Sequence, residues 1–206
     1  MGKKMSGEVR EMICRMDAGK IENQIVLQCA PLIVGLRMSS LFIIGRENLK
    51  RIHSLLWESG ICYYVLYVTE ARAVILLYRS HILSDYLDRE EVREFFAKMD
   101  YTPAGMKNIL PVFRSRYRAY CKGDREFPHE LGLILGYPIE DVKGFILHKG
   151  KNPLYAGYWK VYSDAAGKCE LFRMFELARE MLVELLENGA GIRDIIEEYQ
   201  GNEWVG

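Results

Sequence analysis

The sequence predicts an α+β fold, a small antiparallel sheet of the ferredoxin-like βαββαβ type enlarged by a helical insertion and followed by a long C-terminal helix. Three observations carry this. Two strand-like runs, Ile61 to Thr69 and Ala73 to Tyr78, are rich in β-branched and aromatic residues and are joined only by Glu70-Ala71-Arg72, the spacing of a hairpin. The chain from His81 to Gly150 then carries helical patterning throughout. Finally, a third such run, Ala156 to Tyr162, leads into a stretch from Ala165 to Asn188 whose Leu171, Phe172, Phe175, Leu182, Leu185 and Leu186 share one helical face.

Taken in order, apolar residues at 21, 25, 26 and 29 give a first helix, which Pro31 should end by restricting the residue before it. Ser39 to Ile44 reads as a buried strand. Asn48 can cap a helix that runs to Ser59 with Leu49, Ile52, Leu55 and Leu56 on one face and Gly60 as its stop. Both faces of the next two strands are apolar, which predicts that they lie at the centre of the sheet. Helices follow over Ile82 to Leu87, Glu90 to Met99 and Met106 to Lys122, with a break at Tyr101 to Gly105. Two short helices, Pro128 to Leu135 and Pro138 to His148, each open with proline and acidic residues, which suit the missing N–H and the helix dipole. Ser163 or Asp164 caps the long helix, Gly189 stops it, and Ile192 to Tyr199 adds a last one. The 206 residues thus read as a single domain, with a sheet core over about 39–79 and 156–188 and a helical insertion over about 81–150.

Composition narrows the function. Twenty-eight basic residues balance 28 acidic ones, which argues against a dedicated nucleic-acid or anionic-membrane binder. Five cysteines, Cys14, Cys29, Cys62, Cys121 and Cys169, include no Cys-x-x-Cys pair and point to the reducing cytoplasm. The longest uncharged stretch, Asn23 to Leu36, has 14 residues, short of a membrane span, and charges at Glu8, Arg10 and Glu11 interrupt any signal-peptide core. Met1-Gly2-Lys3-Lys4-Met5-Ser6 fits a myristoylation pattern, but so short a pattern matches readily by chance.

Most catalytic motifs fail on spacing. Gly144 to Gly150 encloses five residues where a phosphate-binding loop has four, and Asn152 stands where Ser or Thr must hold magnesium. Gly189-Ala190-Gly191 lacks a third glycine and a preceding strand, His129 has Leu133 where a zincin needs a second histidine, and there is no Gly-x-Ser-x-Gly elbow. What remains is a possible convergence of Glu126, His129 and Glu130 at the start of a short helix, able to hold a metal or run acid/base chemistry, against the plainer reading of dipole partners and a packed ring. Tyr137, Tyr158, Lys160 and Tyr162 join them as a candidate ligand or partner site. Arg114, Arg118 and Lys122 fall at i, i+4 and i+8 of one helix and form a candidate anion-binding stripe. That stripe lies in a segment of net +5, whereas Glu170 to Glu203 carries net −6, so the two could pair within the fold or between subunits. Cys29 is a candidate thiol whose default reading is a buried, inert side chain.

The run Glu126-Phe-Pro-His-Glu-Leu-Gly-Leu-Ile-Leu-Gly-Tyr-Pro138, with Cys29-Ala-Pro31, Ser40-Leu-Phe42 and Trp159-Lys-Val-Tyr162, resembles an uncharacterised bacterial family known only as a domain of unknown function. The resemblance covers about residues 22–200 and implies a redox- or iron-linked accessory role, without a reaction or a cofactor. Members often carry His before Cys-Ala-Pro and cysteines before Trp-Lys-Val-Tyr. Here Gln28 and the run Asn152 to Tyr158 take those places, which argues against a shared metal or redox site through those thiols. The first functional reading is therefore a cytoplasmic, non-catalytic binding or accessory protein, with a protein partner or a second copy engaged through Phe127 to Phe145 and Tyr158 to Tyr162. The alternatives are a small metal- or anion-binding enzyme centred on His129, Glu126 and Glu130, and nucleic-acid binding through Arg114, Arg118 and Lys122.

Overall fold

The computed structural model describes residues 7–101 and 105–201. The Met1–Ser6 pattern, residues 102–104 of the expected break and Glu203 of the acidic segment lie outside that range. Helices α1 (Gly7–Arg15) and α2 (Ile21–Ile33) precede strand β1 (Ser39–Gly45), and α3 (Leu49–Leu56) connects it to β2 (Cys62–Val68) and β3 (Arg72–Tyr78). Then come α4 (Ser80–Leu87), α5 (Glu90–Ala97), α6 (Met106–Lys122), α7 (Leu131–Ile134) and α8 (Ile139–Leu147), a hairpin of β4 (Tyr155–Ala156) and β5 (Lys160–Val161), α9 (Ala165–Glu187) and α10 (Ile192–Glu198). Helix α1 carries no counterpart in the sequence reading.

The sheet has the order β1-β3-β2 with β3 antiparallel to both neighbours. Strand alternation divides its side chains between two cores. Phe42, Ile44, Ala73, Ile75 and Leu77 pack with α1, α2, α3, α10 and the C-terminal half of α9. Leu66 and Leu76 pack with α4 to α8. The result is a three-layer arrangement in which the helical insertion forms one entire face of the sheet.

Four local expectations need correction. Pro31 does not end its helix, because α2 is buried almost all round and continues to Ile33; one missing N–H costs less than exposing that turn would. Of the two hairpin strands only β3 is central, and β2 is an edge strand covered by α6. The anticipated helix from Pro128 shrinks to α7, with Pro128, His129 and Glu130 in a turn where the Leu131 N–H donates to the Pro128 carbonyl at 3.1 Å. The last ferredoxin-like strand does not join the sheet. It folds into the β4–β5 hairpin instead, because Gly157 turns the chain where any Cβ would sit 2.4 Å from the Phe172 ring. Asp141 then accepts the N–H groups of Tyr162 and Ser163 that a sheet would otherwise use.

Two caps follow opposite courses. The Asp164 side chain accepts from the Gly167 N–H at 3.1 Å, as expected, whereas the Asn48 side chain makes no cap. One long-range tie is made by Arg79, 2% exposed. Its guanidinium donates to the Ile33, Tyr199 and Gln200 carbonyls at 2.9–3.1 Å, so one cation serves the negative ends of both α2 and α10.

Candidate functional site

The motif Glu126 to Pro138 is a set of placements. Pro128 is buried and fixes the turn. Glu130, 1% exposed, faces inward, where its carboxylate accepts from the Tyr101 hydroxyl at 2.8 Å and from Arg116 Nη1 at 3.3 Å. Burial, and then this carboxylate, hold the Tyr101 phenol well above its usual range. His129, the neighbouring residue, goes the other way and sits between the rings of Phe127 and Phe145, at 5.7 and 5.4 Å between centroids. Gly132 has no room for a side chain, because a Cβ would lie 2.8 Å from Val142 Cγ2 and 3.3 Å from the Tyr137 ring. Gly136 takes the left-handed turn at φ 77° that brings Tyr137 back over the start of α8.

Helix α8 and the hairpin are joined by Asp141, which is 2% exposed. Its carboxylate accepts from Trp159 Nε1 at 2.8 Å and from the Tyr162 N–H at 2.7 Å and the Ser163 N–H at 3.1 Å. Trp159 is thereby fixed, stacked on Tyr137 at 4.7 Å and 23° and edge-on to Phe172 at 4.5 Å. Gly144 permits the approach, since a Cβ there would come within 2.5 Å of Tyr162 Cβ. Tyr158 donates to Glu176 at 2.8 Å, and burial followed by that carboxylate raises its phenol above the usual range.

Between these elements lies a cavity of about 300 Å³ whose lining includes Phe127, His129, Tyr137, Phe145, Trp159 and Lys160. Its walls are mostly aromatic and aliphatic. Lys160 Nζ donates to the Gly150 carbonyl at 2.6 Å and lies 5.7 Å from the centre of the Phe145 ring. An ammonium has three donors, so this bond leaves capacity for an anion. The Asp141 carboxylate is already occupied by the hairpin's donors.

The structure therefore brings together His129, Tyr137, Tyr158 and Lys160 around one cavity and sends the other candidates elsewhere. Glu126 is exposed. Glu130 belongs to the buried pair with Arg116, and Tyr162 stacks on His148 at 5.4 Å. The expected convergence of His129 with two carboxylates does not occur, because adjacent residues in a tight turn point to opposite sides. Among the described residues there is no group of three or more His, Cys, Asp or Glu able to hold a metal. Cys29 is fully buried, and burial pushes its thiol up to about 12, so it lacks the thiolate that reactivity needs. Arg114, Arg118 and Lys122 do share one face of α6 and line a separate groove. Among the described residues of the chain none of them makes an ion pair with the acidic helix, whose ion pairs there, Glu170–Arg173 and Glu176–Arg179, are internal to α9.

Sequence reading missed Asp141 as the organiser of the site. An acidic residue in a first helical turn is ordinarily explained by the dipole, and only burial distinguishes this one. Among the described residues no helix is long and apolar enough to cross a membrane. No curated protein and no solved structure matches the chain significantly. Residues 25–196, which hold the sheet, the aromatic cavity and the basic groove, match the family described as a protein of unknown function (DUF3793), and the chain belongs to that family.

Proposed function

We propose that this chain is a non-catalytic binding protein whose aromatic cavity takes a planar ligand of one or two rings bearing an acidic group. The observation that carries this reading is the composition of the cavity wall, where Phe127, His129, Tyr137, Phe145 and Trp159 surround a space of about 300 Å³ edged by the Lys160 ammonium. Aromatic walls favour flat rings through stacked and edge-on contacts, and a few polar groups in an apolar cleft fix orientation. The concavity favours a small ligand over the protein partner expected from sequence. A cytoplasmic setting belongs to the same reading and is supported by cysteines 14, 29, 62, 121 and 169, all of them free thiols. A redox or iron link rests on the family resemblance alone.

Calorimetric titration with naphthoate and with the neutral naphthamide tests the proposal. The acid should bind at least several-fold more tightly than the amide, and Lys160→Gln should erase most of that difference while leaving the amide unaffected. Equal binding of acid and amide by the wild type, or binding of neither, contradicts it.

A further inference from the structure

On the opposite side of α6 from Glu130, residues Pro111, Arg114, Ser115, Arg118, Ala119 and Lys122 line a groove of about 390 Å³ with Tyr64 of β2 and Asp124 at the end of the helix. Their spacing of three and four residues makes a continuous stripe along the helix. We propose that this groove is a binding site for a small anion carrying two linked phosphoryl groups.

The side chains of α6 are sorted by function. At 100° per residue, Arg116 is carried away from its neighbours two positions on either side, and it is consumed by Glu130 and the Met99 carbonyl. Arg114, Arg118 and Lys122 remain on the groove side, and no ion pair engages any of them among the described residues. Arg114 is held with its Cζ 5.9 Å from the centre of the Tyr64 ring, and its Nε is buried without a hydrogen-bond partner. Three cations that line one groove without an ion-pair partner among the described residues mark a place for an anion, which the outer guanidinium nitrogens and the ammonium can reach. Guanidinium forks match phosphoryl oxygens two at a time, and a lysine adds a point charge. Successive cations on the stripe rise about 6 Å along the helix, and their long side chains can close on adjacent phosphoryl groups.

Three features favour a small anion over a nucleic-acid strand. The formal charge of the whole chain is zero, the groove ends at the Asp124 carboxylate, and Tyr64 is its single aromatic ring. A strand-binding surface needs a longer cationic track with several stacking rings.

Calorimetry at low and moderate salt with pyrophosphate, orthophosphate and a short single-stranded RNA tests the site. Pyrophosphate should bind at least tenfold more tightly than orthophosphate, and the double variant Arg118→Gln/Lys122→Gln, altering two exposed side chains, should weaken it at least tenfold. Lys107→Gln, which changes a lysine on α6 outside the groove, should leave binding unchanged. Equal affinity for the two phosphates, or a loss as large in Lys107→Gln as in the double variant, overturns the proposal. RNA binding tighter than pyrophosphate and growing with strand length overturns it in favour of a nucleic-acid interface.

Discussion

The aromatic cavity and the basic groove lie in one helical layer and are built by opposite means. Around the cavity the buried carboxylates are taken up by neighbouring donors. Glu130 holds Arg116 and Tyr101, Asp141 holds Trp159 and the hairpin backbone, and Tyr158 holds Glu176. The space they enclose is left with aromatic faces and one ammonium. Along the groove the cations are left open, and the buried Arg114 Nε has no partner. Internal pairing therefore serves shape in one region, while its absence leaves charge available in the other. The two regions should respond differently to the same kind of substitution.

The largest effect is expected at Glu130. Glu130→Ala leaves the Arg116 guanidinium, whose side chain is 11% exposed, without its counter-charge, and denaturant unfolding should show a loss of about 3–5 kcal/mol. Gly144→Ala comes next, because its new methyl would sit 2.5 Å from Tyr162 Cβ and force α8 and the hairpin apart. A cost of about 1–3 kcal/mol is expected, with weaker naphthoate binding in the same preparation. Trp159→Phe removes one donor from the buried Asp141 carboxylate and should cost about 1–2 kcal/mol by the same assay.

Alkaline pH should weaken the pairs that Tyr101 and Tyr158 make around the cavity. The phenols of Tyr101 and Tyr158 ionise above their ordinary value of 10.0 in the folded chain. Below about pH 10 both the folded and unfolded chains keep these protons, so their contribution is fully present. As pH rises further, the unfolded chain releases them first and the folded state holds more protons. Stability must then fall with pH, and thermal unfolding of Tyr158→Phe should show a shallower fall than wild type. The smallest effect belongs to the groove. Arg118→Gln/Lys122→Gln disturbs no internal ion pair and should leave unfolding within about 0.5 kcal/mol of wild type. A loss comparable to that of Glu130→Ala would show that these cations are structural after all and would erase the contrast.

Legibility in sequence followed the range of the interactions. The groove could be read directly, because Arg114, Arg118 and Lys122 owe their common face to helix period alone. The sheet strands and most helices were legible for the same local reason, and so was the cap at Asp164. The cavity was legible in part. His129, Tyr137, Tyr158 and Lys160 stand out in the sequence, but nothing local shows that a tight turn sends Glu130 away from His129. Asp141 does not stand out, because its partners lie about twenty residues away. The last strand failed for a related reason. Its composition suits a sheet, yet Gly157, Phe172 and Asp141 together fold it into a hairpin, a decision made by tertiary contacts that no window of sequence contains.

The most direct test is a cross-titration of the labelled protein followed by amide and indole NMR, with naphthoate and pyrophosphate added separately. Naphthoate should move the Trp159 indole N–H and the amides of Gly132 and Gly150 while leaving Tyr64 and Arg118 in place, and pyrophosphate should do the reverse. A single set of shifts common to both compounds, or naphthoate shifts that fall outside the aromatic cavity, would contradict the division of this layer into a shape-selective site and a charge-selective one.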